Sequence, residues 1–229
     1  MTTSRPAVLF DIDGTLVDSN YLHVHAWQRA FTDMDLPVPA WRIHRCIGMD
    51  GAQLVDTLSG GAPEPIQKQL KDLHTRYYES DAALLAVLPG ARELLARVVE
   101  LGLHVVLATS APDNELVLLR STLDCDDLVS AITSSADVET AKPRPDIVKV
   151  AMDKAGVSAQ HAVFVGDTVW DVEAAGRADV ACIGVLSGGI SRAELDTAGA
   201  AAVYEDAEHL LAGMGGSPLS TLLAHEVLP

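Results

Sequence analysis

Two aspartates, Asp11 and Asp13, close the apolar run Ala7-Val8-Leu9-Phe10 and lead into Gly14-Thr15-Leu16. Residues two apart on an extended chain share one side. Their carboxylates therefore repel unless a cation or a shared proton relieves them. Gly14 permits the sharp exit that a site at this point needs. A second acidic pair, Asp167 and Asp171, follows the run that ends in Val165-Gly166. Thr109-Ser110 follows a third apolar run and offers hydroxyls and backbone N–H groups to an oxyanion. Lys142 stands before Pro143-Arg144-Pro145, whose prolines fix its presentation. Taken singly, these are acidic turns, helix caps and a solvated lysine. All four in one order at successive run ends is a much rarer coincidence, and order and context carry the specificity.

Such residues need a scaffold that brings the run ends together. Ala7–Phe10, Leu103–Ala108, Ala162–Val165 and Val180–Val185 are apolar throughout, as strands covered on both faces of a parallel sheet are. Ala201–Tyr204 reads as an edge strand. Between them the pattern turns helical. Pro89-Gly90 opens a helix with the stripe Leu94, Leu95, Val98 and Leu101, and Gly102 stops it. Asp113 reads as the cap of a helix running to about Leu123. Pro145-Asp146 opens one that closes near Gly156, and Asp171–Ala178 and Glu205–Leu211 are shorter ones. This alternation predicts an α/β fold, a doubly wound parallel-sheet (Rossmann-like) core. In such sheets ligands bind off the carboxyl ends of the strands.

Residues 17–88 break the rhythm. They carry no convincing strand but several helical faces: Tyr21, Leu22, Trp27, Ala30 and Phe31, then Leu54 and Leu58, then Ile66, Leu70, Leu73 and Tyr77. Pro37-Val38-Pro39 is a turn within them. The expected organisation is a catalytic core of residues 1–16 and 89–229, with a helical cap, 17–88, inserted after the first strand. The tail from Gly213 to Pro229 reads as loop with one short apolar helix at most.

Composition bounds the function. The chain has 229 residues with 16 Lys+Arg against 32 Asp+Glu, a net charge of −16. That balance argues against nucleic acid and against an anionic membrane surface. It does not exclude a phosphorylated small molecule, because a bound metal inverts the local field. Cys46, Cys125 and Cys182 are far apart without CxxC spacing, so buried thiols are expected rather than disulfides or zinc. No signal peptide fits the polar start Met1–Pro6, and a reducing, cytoplasmic setting is expected.

The ordered motifs Asp11-Ile12-Asp13-Gly14-Thr15, Thr109, Lys142-Pro143 and Gly166-Asp167 with Asp171 resemble the haloacid dehalogenase-like hydrolase superfamily, in its phosphoglycolate phosphatase and β-phosphoglucomutase-like branch. Asp18-Ser19, His23 and Ala26-Trp27 look like its first cap helix, Ile47-Gly48 like its cap loop, and Ser187 to Ala200 like its late segment. The resemblance implies a phosphatase acting on a small phosphorylated metabolite. Asp11 would be the nucleophile that forms an aspartyl-phosphate, and Asp13 the general acid and base. Thr109, the Ser110 N–H and Lys142 would hold the transferring phosphoryl oxygens. Mg²⁺ would be held by Asp11, the Asp13 backbone carbonyl and Asp167, with Asp171 orienting Lys142 or a metal-bound water. His23 and Gly48 are the cap's candidates for touching substrate. For His23, packing is an equally good reading; for His44 and Arg45, surface charge is the better one.

Departures narrow the branch. Dehalogenases of this superfamily lack the second aspartate of the first motif, and Asp13 is present. The phosphomutase pattern puts an arginine after the cap-loop glycine, where this chain has Met49-Asp50-Gly51. It also puts a serine and a lysine where this chain has Ala111-Pro112. Phosphonate hydrolases use a cap lysine, whereas Lys68 and Lys71 lie in a polar helical stretch. The alternatives are a phosphomutase or, in a different class, a phosphorylation-controlled binding module of the receiver type. The helical insertion and Asp13 argue against the latter.

Overall fold

A computed structural model describes residues 5–138 and 142–224. Of the segments read above, Met1–Ser4 and the tail beyond Ala224 fall outside the described residues. The chain opens with β1 (Ala7–Phe10) and β2 (Val17–Asp18). Four helices follow: α1 (Asn20–Asp33), α2 (Ala40–His44), α3 (Gly51–Ser59) and α4 (Glu64–Ser80). After β3 (Ala86–Val87) come α5 (Ala91–Glu100), β4 (His104–Ala108), α6 (Asp113–Leu123) and β5 (Ala131–Thr133). The remainder is α7 (Asp146–Ala155), β6 (Ala162–Gly166), α8 (Val169–Arg177), β7 (Ala181–Val185), α9 (Arg192–Ala198), β8 (Ala202–Tyr204), α10 (Ala207–Ala212) and α11 (Leu219–Ala224).

Six strands form one parallel sheet in the order β5-β4-β1-β6-β7-β8. The chain moves outward from β1 through β4 to β5, then returns to the other side for β6, β7 and β8. The strand order therefore reverses at β1, the place where open α/β sheets leave a crevice. Alternate strand residues serve opposite faces. Ala7, Leu9, Val106, Ala108, Ala162, Phe164 and Cys182 share one core with Ile147, Val148 and Ala151 of α7, Val172, Ala174 and Ala175 of α8, and Leu195 of α9. The intervening Val8, Phe10, Val105, Leu107, Val163, Val165 and Ile183 are buried as well. Helices α5 and α11 pack against β4 and β6. Burial on both sides is why these runs lack the polar alternation of a half-exposed strand.

Several local readings change. Helix α6 is capped by the extended Pro112 with no side-chain cap, and Asp113 is its first residue. Helix α8 begins two residues before Asp171, because the Thr168 side chain takes the cap. The 17–88 stretch holds a strand pair, β2 with β3, at its two ends. Strand β5 has three residues, two of them half-buried, too little apolar run to register as a strand. Cys46, Cys125 and Cys182 are free and buried. No helix among the described residues is long and apolar enough to cross a membrane.

The chain divides into two compact units, one running to Asp18 and resuming at Val87, the other Ser19–Ala86. The helical unit has its own core of Val24, Trp27, Phe31, Ile43, Leu54, Val55, Leu58 and Leu70. Tyr21, read as part of that apolar face, is 59% exposed, its ring stacked on His44. Beside this core His23 Nδ1 lies 3.1 Å from His74 Nε2. His23 stacks on Tyr78, and His74 on Trp27, with centroids 4.2 and 4.1 Å apart. Burial holds the His74 imidazole well below its usual range, and the neighbouring His23 adds to this.

A histidine with a depressed folded pKa stays neutral in the fold while the unfolded chain takes up a proton. Stability is then lost as pH falls below the unfolded value of about 6.5, by up to ~1.4 kcal/mol per pH unit. His74→Phe should lower the thermal midpoint at pH 7.5, because the buried hydrogen bond to His23 is lost, yet flatten the fall in midpoint from about pH 7 to 5.5. Parallel midpoint-versus-pH curves for the two proteins would contradict this account.

Candidate active site

The site grows from the carboxyl ends of the three central strands. Phe10 of β1 is in register with Leu107 of β4 and Val165 of β6. Asp11, Thr109 and Asp167 therefore emerge at the same edge of the sheet. The Asp11 N–H continues the ladder to the Val165 carbonyl at 2.9 Å. Beyond it the chain turns tightly, with the Ile12 carbonyl accepting from the amides of Thr15, Leu16 and Val17 at 3.2, 2.9 and 3.0 Å. Gly14 adopts φ +70° in this turn, the left-handed conformation that glycine enters without a Cβ clash. Asp13 is half-buried on the turn.

Lys142 is almost wholly buried, its ammonium 2.8 Å from Asp11 Oδ1 and 2.7 Å from Asp171 Oδ1. Asp171 is fixed from its other oxygen: Oδ2 accepts from the Thr168 N–H at 3.0 Å and the Thr168 hydroxyl at 2.6 Å. This capping box at the start of α8 turns a routine helix-start device into a positioning element. Asp167, fully buried, accepts from the Thr15 hydroxyl at 3.0 Å. Thr109 is buried, its hydroxyl accepting from the Ala111 N–H at 3.0 Å, while its carbonyl accepts from Thr133 Oγ1 of β5 at 3.1 Å. Ser110 beside it is half-buried. One oxygen from each of Asp11, Asp167 and Asp171 falls within 4.8 Å of the others.

Charge is out of balance in this cluster. Burial pushes the Asp11 carboxyl up to about 7; Lys142 opposes the shift, while Asp171 and Asp13 add to it. Burial disfavours the Lys142 ammonium too, but Asp11 and Asp171 outweigh it and hold its pKa above the usual lysine value. Lys142 thus faces two buried carboxylates, Asp11 and Asp171, with an oxygen of buried Asp167 within 4.8 Å of theirs.

A family model for haloacid dehalogenase-like hydrolases matches residues 8–185. The chain belongs to this family. A phosphoglycolate phosphatase of Pseudomonas putida is 28% identical over 224 residues, covering 95% of this chain and 82% of its own length. One of Yersinia pestis is 31% identical over 187 residues, covering 79% and 81%. The solved structure of a hydrolase from Pseudomonas syringae matches with TM-score 0.88 at 35% identity, over 92% of this chain and 98% of its own. A putative β-phosphoglucomutase from Bacteroides vulgatus shares the fold, with TM-score 0.85 at 22% identity over 97% and 90%.

In this hydrolase the donor set fits a divalent cation. All three carboxylates are hard oxygen donors, and their excess over the one ammonium is what such an ion offsets. His23 and Gly48 both lie in the helical unit. His23 is paired with His74 as described, and Gly48 sits half-buried at φ +92° after α2. Lys68 is exposed and paired with Asp72 at 2.7 Å.

Sequence reasoning assigned no role to Thr15, Thr168 or Gly166. The Thr15 hydroxyl reaches 152 positions along the chain, which no local pattern discloses. Thr168 was discoverable, since Thr168-x-x-Asp171 is a capping-box spacing. At Gly166 a Cβ would meet Asp171 Cβ and Cγ at 2.6 Å, closer than atoms can stand.

Two outcomes follow from this geometry. Gly166→Ala should displace Asp171 and lower kcat by about tenfold or more. Gly176→Ala, on the helix that carries Asp171 and with open space around it, should leave kcat within about twofold. Equal rates for the two variants would show that the close approach is unimportant. In metal-free protein, Asp11→Asn should raise the thermal midpoint at pH 8. Wild-type Asp11 is ionised there at a cost, because its folded pKa of about 7 exceeds the unfolded 3.8. As pH falls through 7 toward 4 the wild-type carboxyl takes up its proton and the difference should shrink. A variant less stable at pH 8 would contradict the electrostatic account.

Proposed function

We propose that this hydrolase is a Mg²⁺-dependent phosphatase that cleaves a small phosphorylated metabolite through an aspartyl-phosphate on Asp11. The observation that carries the reading is the buried Asp11 carboxylate, backed by the Lys142 ammonium and grouped with Asp167 and Asp171 at one strand edge. The phosphoglycolate phosphatase relatives support the substrate class, and 2-phosphoglycolate is its first candidate.

Asp11 attacks phosphorus, forming an acyl-phosphate bond as the bond to the leaving oxygen breaks. Asp13 gives its proton to that oxygen. Water then attacks the same phosphorus, Asp13 takes a proton from it, and Asp11 is released with inorganic phosphate. Thr109 and the Ser110 N–H hold the transferring oxygens, and Lys142 offsets their charge. Asp171 keeps that ammonium in place rather than reacting. Asp11, the Asp13 backbone carbonyl and Asp167 would hold Mg²⁺, which when bound offsets the negative charge gathered on the carboxylates and the phosphoryl group. The helical unit is the part of the chain left to select the substrate. Phosphomutase action is the weaker reading, because Gly51, Ala111 and Pro112 offer no charge to a second phosphate.

Purified enzyme with Mg²⁺ and a panel of phosphoglycolate, sugar phosphates and nucleotides should release inorganic phosphate from at least one. Chelator should abolish release and Mg²⁺ restore it, and Asp11→Asn should reduce turnover by at least about 10³-fold. β-Glucose 1-phosphate with a trace of its bisphosphate should not give glucose 6-phosphate. Turnover by Asp11→Asn within tenfold of wild type, or full activity in chelator, would refute the proposal.

A further inference from the structure

The proposed acid and base, Asp13, sits on a turn of the backbone, and its aim depends on what holds that turn. Inside the turn the Ile12 carbonyl gathers three amides, and the Gly14 N–H donates to the Val17 carbonyl at 2.8 Å. These bonds fix the curvature. They are all local. From farther away the Thr15 hydroxyl donates to Asp167 at 3.0 Å and the Leu88 N–H to the Leu16 carbonyl at 3.0 Å, which ties down the later part of the turn.

Another long-range hydrogen bond reaches Gly14, the residue next to Asp13. The Ser187 hydroxyl donates to the Gly14 carbonyl at 2.6 Å, across 173 positions. Ser187 lies in a single 3₁₀ turn, Leu186–Gly188, immediately after β7. That turn is itself tethered: the Leu186 N–H donates to the Glu205 carbonyl at 3.1 Å, just past β8, and the Gly189 N–H closes back on Leu186 at 2.9 Å. Gly189 takes φ +86°, which lets the chain leave the turn sharply. The ends of β7 and β8 are thereby connected to the Gly14–Thr15 peptide, one step beyond Asp13.

We propose that Ser187 is a positioning residue for the reaction, one that holds the Gly14–Thr15 peptide next to Asp13 and so helps set the direction of the Asp13 carboxyl. It touches no substrate and moves no proton of the reaction. The inference rests on the phosphatase reading, in which Asp13 protonates the leaving oxygen. Binding of the substrate's phosphate by Thr109, Ser110 and Lys142 does not involve this hydroxyl, so its loss acts on the chemical step and not on affinity.

The test compares Ser187→Ala, Ser187→Thr and wild type in three measurements. Steady-state kinetics on the best substrate of the panel should show kcat lowered by about tenfold in the alanine variant, with KM within about twofold, and largely restored in the threonine variant. Hydrogen–deuterium exchange of metal-free protein should show faster exchange in the peptide spanning Asp11–Val17, with the rest of the sheet unchanged. The thermal midpoint should stay within about 2 °C. Unchanged kcat with unchanged exchange would overturn the inference. So would a loss of kcat accompanied by a matching drop in midpoint and exchange rising throughout the sheet, which marks a merely structural role. A wild type inactive on every substrate would overturn the phosphatase reading. In that case the exchange comparison still decides whether Ser187 holds the turn.

Discussion

The structure is organised around one buried ammonium held between two carboxylates. Lys142 Nζ stands 2.8 Å from Asp11 and 2.7 Å from Asp171, and all three side chains are hidden from water. Removing an ion from water costs several kcal/mol even after relaxation, and the pairing offsets this only when geometry is good and remaining lone pairs are satisfied. The surroundings meet that demand. Thr168 fills the second oxygen of Asp171, Thr15 donates to Asp167, and Gly166 leaves the space in which Asp171 lies against β6. Truncating Lys142 would take the cation from both carboxylates, a loss of about 3–5 kcal/mol in comparable cases.

That demand explains why the site sits on the middle of the sheet. β1 lies between β4 and β6, its four residues are buried, and both of its edges are hydrogen-bonded. A charge at its carboxyl end cannot relax by letting the strand drift, because Ala7–Phe10 is packed on two faces and paired on two sides. Positions built on such strands are more precise than positions on loops. The helical unit carries a core of its own, so variation there need not disturb the charges.

Legibility in the sequence followed range. The central strands were readable because burial on both faces writes a continuous apolar run into Ala7–Phe10 and Ala162–Val165. Two members of the acidic cluster, Asp11 and Asp167, were readable because they stand just past those runs. Strand β5 was not, since a three-residue edge strand needs no such run. Nor could the partners of Asp167 or His23 be read, because Thr15 and His74 meet them only in three dimensions, 152 and 51 positions away. The start of α6 was misplaced by one residue for a local reason. Pro112, extended and unable to donate, occupies the cap position, and Asp113 falls into the first turn, where its charge suits the helix dipole.

The same imbalance that makes the site costly to fold makes it receptive. Asp11 at about 7 is a carboxyl poised between holding a proton and giving it up. A group so placed is under-compensated, since it shares the Lys142 ammonium with Asp171. A second fixed basic residue would relieve the fold, but it would also pair permanently with Asp11, the nucleophile of the proposed mechanism. An exchangeable cation relieves the charge without that permanent pairing, and Asp11 and Asp167, its proposed carboxylate ligands, already bring oxygens within 4.8 Å of each other. The cost of the unbalanced cluster is therefore the condition for its chemistry, and the rigid strands around β1 are what allow the chain to carry it.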